Sequence, residues 1–518
     1  MVENERDRRR MVALRNRELR VMNENLLKLK QKTESFATKP AFIFIVCAVA
    51  FLFHALAFDL AGLLLFAFVG GLMLVLLDDA RPALTVIFFT VFIVSTQNST
   101  GFTKWGTGVG YYERKSVLIP LIIGGCFLVG CMAVRCVKFR RNFASAKLWL
   151  PLVVFSVSLV LSGVSSATKY YYGESVLFGF IGVASYLGFY LILTGITDGF
   201  DGLFDYAATL FSGVTLIISL EVIYVYFLHM LPPFEFLPEN WRFCMRAGKF
   251  PTLLADWKNL LITGCGVSNQ SGAMLACLLP AVFYKIAKSK NYVWYSLLAI
   301  LSATTIVLTL SRAAMLVGGV LFVVLAVVTA AKIEKKEIFV GIFAAFALAG
   351  IIALMILADK YDVNLLKYLS PKKGPGLNGR GQLWKAAVDY FKESPIFGVG
   401  FAYPYHNDPT SADAFRALLH NFVFQAFASS GIAGVIALAY ALIAVFFRLI
   451  KNSYEGKLYI LCFLFGFMVI SLLDIMYYVP YYVLFAMFMI VVAEKDILKR
   501  KEGQKTLKSI EKDGCYEQ

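Results

Sequence analysis

Long apolar intervals separated by short polar connections run through most of this chain. Of its 518 residues, 59% are hydrophobic, and the mean hydropathy is +0.70. Intervals of about 17–25 apolar residues are typical of helices that cross a bilayer. We therefore predict an all-α polytopic membrane protein of about 12–14 transmembrane helices, with a large external loop that carries an amphipathic helix. The intervals lie near residues 41–57, 60–77, 83–98, 116–135, 148–166, 176–195, 204–229, 267–285, 293–310, 313–331, 337–357, 420–447, 457–475 and 478–493.

The basic residues of the short connections predict the orientation of the chain. The formal net charge is +16, and lysine and arginine collect in the cytoplasmic connections of membrane proteins. If the N-terminus lies inside, the even-numbered connections also lie inside, and those are short and basic. We therefore predict a multi-pass protein of the cytoplasmic (inner) membrane with both termini cytoplasmic. Nothing in the chain is typical of a nucleic-acid-binding module, so nucleic acid is not a predicted partner.

The same pattern divides the chain into consecutive parts. They are a basic cytoplasmic tail (1–40), a transmembrane bundle of about 11 spans (41–357) that includes an outer loop (231–266), a large external loop (358–419), the last three transmembrane helices (420–494) and a second cytoplasmic tail (495–518).

Both long outer loops hold basic residues, which the positive-inside trend does not place there. Cations on the outer face predict an anionic ligand such as a phosphate, with lipid headgroups as the alternative. Cys244 and Cys265 lie in or beside the first loop, and the sequence leaves open whether they are bridged. The basic residues are Arg242, Arg246, Lys249 and Lys258 in the first loop, and Lys360, Lys367, Lys372, Lys373, Arg380, Lys385, Lys392 and Arg416 in the second.

Within the second loop, the segment from Arg380 to Glu393 has helical periodicity. An apolar stripe opposite charged residues predicts an amphipathic helix that ends at Ser394-Pro395. Such a helix lies along the outer membrane surface or packs on the bundle, and the two arrangements are compatible. The predicted stripe is Leu383, Trp384, Ala387, Val388 and Phe391.

Three polar residues lie at the outer ends of predicted spans. Arg312 separates two apolar runs, and an arginine at membrane depth costs roughly 2.5–3.5 kcal/mol on insertion scales. It therefore usually has a partner or a function, although a side chain that snorkels to the interface is the alternative. The predicted topology brings Arg312 level with His420, and Asn269 opens another span from the same side.

Four segments come in a fixed order between about residues 264 and 440. They are Ser311-Arg312 at the start of a span, a Gly-Arg-x-x-x-Trp helix (379–384), the turn SPIFGVGF (394–401) and HNFVFQAFASSGIAG (420–434). This order resembles the O-antigen ligase/polymerase superfamily of membrane glycosyltransferases. The N-terminal half resembles that family only in being a stack of helices.

The resemblance implies a reaction and a set of site residues. Such proteins take a glycan from an undecaprenyl-diphosphate carrier on the outer face of the cytoplasmic membrane. They join it to an acceptor, which is lipid A core in ligases and another lipid-linked repeat in Wzy-type polymerases. The resemblance implies that His420 is catalytic, with Arg312 and Arg380 on the diphosphate. The candidate substrate-binding residues are Asn269, Trp384, Arg416, Asn421 and His406.

One position departs from the family pattern. Asn269 lies in Ser268-Asn269-Gln270-Ser271, where the family usually has Asn-Pro-Asn.

The chemistry of these residue types is consistent with the implied roles. Arginine offers a permanent charge and a bidentate fork for phosphate oxygens. A histidine with an ordinary pKa near 6.5 offers a neutral base at neutral pH. No Asp-x-Asp motif or histidine cluster indicates a metal, so we predict metal-independent transfer without a cofactor. Asp408 and Asp413 remain alternative bases.

Other functions remain open. The residues above serve the shared donor, so the sequence decides poorly between a ligase and a polymerase, and the late motifs favour the ligase slightly. A transporter or flippase would need ionisable residues within the membrane. Glu221 and Asp474 are the candidates, and no sequence pattern pairs them. A membrane sensor or scaffold is a third possibility, suited to the charged N-terminal tail.

Overall fold

The computed structural model describes residues 27–28, 30–94, 115–138, 146–230, 261–334, 336–361, 380–401, 419–474 and 476–514. Within these ranges the chain is almost entirely helical. The only strands there are β1 (Ile262–Thr263) and β2 (Gly266–Val267), which pair antiparallel. The predicted all-α class is confirmed.

The helices follow the apolar intervals closely, because each interval is long enough to satisfy its own backbone as one helix. They are α1 Lys30–Ala37, α2 Pro40–Ala55, α3 Asp59–Leu76, α4 Arg81–Phe89, α5 Lys115–Lys138, α6 Trp149–Tyr170, α7 Glu174–Val183, α8 Phe189–Ile196, α9 Leu203–Met230, α10 Ser268–Lys288, α11 Tyr292–Leu308, α12 Arg312–Ala330, α13 Lys336–Tyr361, α14 Arg380–Glu393, α15 Phe422–Lys451, α16 Lys457–Ser471 and α17 Pro480–Gly514. Short 3-10 or π turns at Thr90–Ile93, Ala184–Gly188 and Met476–Tyr478 extend or join them.

The helices identify an integral membrane protein. Among the described residues, eight are long and apolar enough to cross a membrane, or nine if α1 and α2, bent by 81°, form one span. Shorter apolar helices lie at Arg81–Ile93, Tyr292–Leu308 and Lys457–Ser471. Every predicted interval overlaps a helical segment, while the total of 12–14 spans and the cytoplasmic termini stay predictions.

Helix α10 forms the centre of the bundle. It is buried along almost its whole length and packs against α9, α11, α12 and α16. Gly272, in its second turn, lies directly against Thr309, Ser311 and Ala314. The first turn of α10 and the first turn of α12 therefore lie at the same end of the bundle.

Helix α15 is broken where the sequence predicts one continuous span. Gly431 has φ 59° and ψ −160°, a conformation essentially confined to glycine. The chain after α14 fills the break. Val399 N and Gly400 N donate to the carbonyls of Ala428 (2.9 Å) and Ser429 (3.0 Å).

The same segment also satisfies donors beyond the break. Ile432 N donates to Pro395 O (2.9 Å), and Ala433 N donates to Ile396 O (3.1 Å). Gly398, at φ 72°, passes so close to α15 that a Cβ there would lie 2.3 Å from the carbonyl carbon of Ser429. The turn SPIFGVGF is therefore fixed to α15 by its backbone, which also fixes the end of α14.

Candidate active site

The chain just before α15 is held in an uncommon conformation. His420 has φ 48°, in the left-handed region, which costs about 1–2 kcal/mol for a non-glycine residue. Both backbone groups of Leu419 are bonded to side chains: its N–H donates to Gln425 Oε1 (3.0 Å), and its carbonyl accepts from Trp384 Nε1 (3.1 Å). These bonds fix the backbone that presents His420.

Asn421 fixes the other side of His420. Its Oδ1 caps α15 by accepting from Val423 N (2.9 Å) and Phe424 N (3.1 Å), as asparagine commonly does at an N-cap. Its Nδ2 donates to Leu472 O (2.8 Å), just after α16. This amide therefore ties the start of α15 to the end of α16.

Asp474 follows α16 and meets His420. The His420 Nδ1 to Asp474 Oδ1 distance is 3.3 Å, with the His420 side chain 37% exposed and that of Asp474 10% exposed. A carboxylate oxygen only accepts, so Nδ1 carries the hydrogen, and in the neutral imidazole Nε2 then carries the lone pair. Nε2 has no hydrogen-bond partner among the described residues.

The two predicted phosphate-binding arginines lie beside this pair. Burial lowers the pKa of Arg380; the negative charge of Asp474 opposes that shift, and the positive charge of Arg312 adds to it. Arg380 is therefore close enough to interact with both Asp474 and Arg312. Within the described ranges, neither guanidinium has a hydrogen bond or ion pair. Two neighbouring cations, only one of which is shown to interact with the Asp474 carboxylate, leave a net positive charge that suits an anion.

Helix α14 has the predicted bounds and packs on α15. The Trp384 ring stacks on Phe424 at 5.2 Å between centroids, and Phe391 meets Phe427 edge-on at 5.2 Å. The predicted stripe is wrong at one position, because Tyr390 is buried whereas Val388 is 42% exposed. The reason is angular: at 100° per residue, position 388 lies about 140° from Leu383, while position 390 returns to within about 20° of it.

Several predicted residues do not join the pair. Asn269 is half-buried in the first turn of α10, at the end of the bundle where Arg312 begins α12. Trp384 and Asn421 use their polar groups to hold the His420 segment, and their contact with substrate stays a prediction. The remaining candidates lie outside the described residues: Arg416, His406, Asp408 and Asp413.

Asp474 is the residue that the sequence did not assign to this site. It is separated from His420 by 54 positions, and no local motif connects them. One signal was present: the interval 457–475 ends at the face where the interval 420–447 begins.

Glu221, the other predicted intramembrane acid, also faces a histidine, but in a different place. His54 Nδ1 lies 3.6 Å from Glu221 Oε1, and both side chains are fully buried. Glu221 Oε2 accepts from Gly264 N (2.8 Å), and His54 Nδ1 donates to Val94 O (2.8 Å). The two acids therefore belong to two separate pairs.

Two further predictions concern a disulfide bond and a bound metal. Cys265 is a buried free thiol, and Cys244 lies outside the described residues. No three His, Cys, Asp or Glu side chains cluster as a metal site within the described ranges. Metal-independent transfer stays a prediction.

Fold and site together define a class: a helical integral membrane protein with a histidine–aspartate pair and two arginines at one end of its bundle. Residues 297–439 match the family model of O-antigen ligase. This match confirms the resemblance over a stretch that contains Arg312, Arg380 and His420, whereas Asn269 and Asp474 lie outside it. No curated protein matches the chain.

Proposed function

We propose that this protein is a membrane glycosyltransferase of the O-antigen ligase kind, which moves a glycan from an undecaprenyl-diphosphate carrier to an acceptor. The proposal rests on the His420–Asp474 pair, on Arg380 close to Asp474, and on Arg312 close to Arg380. Glycosyl transfer from a diphosphate needs a proton acceptor and a counter-charge for the leaving group. These four side chains supply both.

Arg312 and Arg380 would bind the diphosphate of the donor. Each begins a helix, α12 and α14 respectively, so the positive end of a helix dipole adds to its own charge. Negative charge grows on the diphosphate as its bond to the anomeric carbon breaks. Two guanidinium groups would stabilise that charge most strongly in the transition state.

His420 would act as the general base. Its Nε2 takes the proton of the acceptor hydroxyl while the acceptor oxygen bonds to the anomeric carbon and the diphosphate leaves. Asp474 receives the Nδ1 hydrogen bond, which sets the tautomer and stabilises the imidazolium that forms. General base help is typically worth about 10²–10⁴-fold in rate.

The surroundings of α14 suit a substrate that is partly lipid. Val388 on α14 and Ile396 and Phe397 just after it are exposed apolar side chains. A polyprenyl chain in the bilayer would lie against this apolar edge while its diphosphate reaches Arg380. With basic connections and both termini on the cytoplasmic side, this end of the bundle would face outward.

A transporter of lipid-linked glycans is the alternative from another class. The buried His54–Glu221 pair favours it, because ionisable pairs inside a membrane often mark transport pathways. The two functions differ in whether a glycosidic bond forms.

The test is glycan transfer by the purified full chain in liposomes. The donor is an undecaprenyl-diphosphate oligosaccharide, offered with lipid A core, with further donor alone, or with neither, and with or without EDTA. New product with lipid A core supports a ligase, and chain extension with donor alone supports a polymerase. Movement of donor across the bilayer without any new bond would overturn the proposal in favour of transport. Activity that is lost in EDTA would overturn metal independence alone.

A further inference from the structure

A polar cavity lies at the end of the bundle opposite His420. Its volume is about 570 Å³. It is formed where α10 ends, where α12 ends and where the connection from α15 enters α16. The residues that line it and bear on its chemistry are Tyr284, Lys288, Lys332, Tyr454, Glu455 and Lys457.

Three helices separate this cavity from the candidate active site, since each carries a residue of one site at one end and a residue of the other at its far end. The pairs of ends are Arg312 and Lys332 for α12, His420 and Tyr454 for α15, and Asp474 and Lys457 for α16. Helix α16 alone has 15 residues and spans about 22 Å at 1.5 Å per residue. The cavity is therefore a separate site, and the predicted orientation places it on the cytoplasmic side.

The lining of the cavity is cationic. Lys288, Lys332 and Lys457 contribute three positive charges, and Glu455 contributes one negative charge. Lys457 Nζ is oriented by donating to Ile450 O (2.5 Å), and Lys332 Nζ lies 5.2 Å from the centre of the Tyr459 ring. Neither lysine is neutralised by an ion pair within the described part of the chain.

Glu455 cancels one of these three charges, so the lining keeps a net positive charge. Its Oε1 accepts from Tyr284 OH (2.7 Å), and its N–H donates to Asp496 Oδ2 (2.6 Å). Asp496, the other acid nearby, is paired with Arg500 at 2.7 Å. Both carboxylates are thus occupied by donors of the protein.

The start of α16 adds backbone donors. Gly456, the N-cap, has φ 66° and no side chain to cap the helix. The first intrahelical bond runs from Ile460 N to Gly456 O, so the N–H groups of residues 457–459 have no partner within the helix. Those three residues line the cavity. An uncapped helix N-terminus attracts anions, phosphate above all.

Tyr454 supplies the independent observation. It lines the cavity and is only 5% exposed, yet its hydroxyl has no hydrogen-bond partner among the described residues. A buried hydroxyl without a partner is unfavourable, so it indicates an acceptor supplied by a ligand. Burial raises the pKa of Tyr454, so the group stays protonated and available as a donor.

We propose that this cavity binds a phosphate group, carried by an anionic phospholipid headgroup or by a soluble phosphate. Ammonium groups, helix N–H groups and a phenol are all donors, which matches the acceptor-only surface of a phosphate. The site is independent of the proposed glycan transfer, because none of its residues belongs to the His420 site.

The test uses the purified, delipidated full chain. Native mass spectrometry would count retained phosphatidylglycerol against phosphatidylcholine, and equilibrium dialysis would measure binding of radiolabelled inorganic phosphate. The double variant Lys332→Gln/Lys457→Gln removes two cavity charges. The matched control, Lys290→Gln/Lys336→Gln, removes two charges near the same end that do not line the cavity.

We expect wild type and control to bind at least one of the two probes in a saturable way. The cavity variant should bind it at least about tenfold more weakly. Retention of phosphatidylglycerol alone would identify a lipid headgroup, and binding of inorganic phosphate would identify a soluble ligand.

Tyr454→Phe is the second variant, since it removes one oxygen and keeps the ring. It should weaken the same binding severalfold without loss of fold, which keeps the proposal testable if the double variant is unstable. Equal retention of both lipids with no phosphate binding, or wild-type binding by both cavity variants, would overturn the proposal.

Discussion

His420 and Asp474 meet at the end of the helix bundle, whereas His54 and Glu221 meet inside it. The first pair is 3.3 Å apart and partly exposed, and the second is 3.6 Å apart and fully buried. Both combine an imidazole with a carboxylate, so the two pairs have the same functional groups. What differs is access and the charge beside them: Arg380 is close enough to Asp474 for their charges to interact.

The side chains of the buried pair bond to the backbone of two other chain segments. Glu221 binds Gly264 N in the turn between β1 and β2, and His54 binds Val94 O after α4. These bonds hold two chain segments against α2 and α9. In the exposed pair the backbone is held by other residues, which leaves His420 Nε2 available. A histidine–carboxylate pair therefore indicates catalysis here only together with access and a counter-charge.

The largest expected difference between the two pairs appears when the histidine of each pair is replaced. We expect His420→Ala to lower the rate of glycan transfer about 10²–10⁴-fold, because the general base is lost. His54→Gln keeps a hydrogen-bond donor and should keep the rate of transfer. Radiolabelled transfer assays on matched amounts of folded protein measure both. Comparable losses in the two variants would erase the distinction between the pairs.

Arg380 is the charge that the buried pair lacks. Arg380→Gln should weaken transfer about 10–100-fold by removing charge-assisted hydrogen bonds to the diphosphate. The loss should appear in KM for the donor as well as in kcat, and Arg380→Lys should restore part of it, because lysine keeps the charge without the fork. An unchanged KM and kcat in Arg380→Gln would remove this residue from the donor site.

Neutralising each carboxylate should reproduce the difference that we expect between the two histidines. Asp474→Asn keeps an acceptor for His420 Nδ1 but removes its charge, so transfer should fall about 5–30-fold. Glu221→Gln, the matched change in the buried pair, should leave the rate unchanged. If Glu221→Gln also abolishes transfer while the protein remains folded, the buried pair takes part in function.

The smallest effect concerns the support of His420. Trp384→Phe keeps the stack on Phe424 and removes only the bond to Leu419 O. The loss of one neutral hydrogen bond should lower kcat about two- to tenfold with little change in melting temperature. A rise in KM with constant kcat would indicate direct substrate contact by Trp384 instead.

The sequence predicted local features well and contacts between distant segments poorly. The helix Arg380–Glu393 was predicted with its observed bounds, because periodicity and the following Ser-Pro mark it locally. The partner of His420 was missed, since a contact across 54 positions leaves no local pattern.

The break at Gly431 was missed for a similar reason. The apolar run through it reads as one span, while the groups that stabilise the break come from residues 395–400. Hydropathy reports burial but not which backbone groups find partners elsewhere in the chain.

The central claim is that His420 and Asp474 act as one catalytic unit. A double-mutant cycle of His420→Ala and Asp474→Asn, measured as the rate of glycan transfer, tests it most directly. We predict that the double variant is no slower than His420→Ala alone, since Asp474 acts through the imidazole. Losses that multiply would contradict the claim and give Asp474 a role of its own.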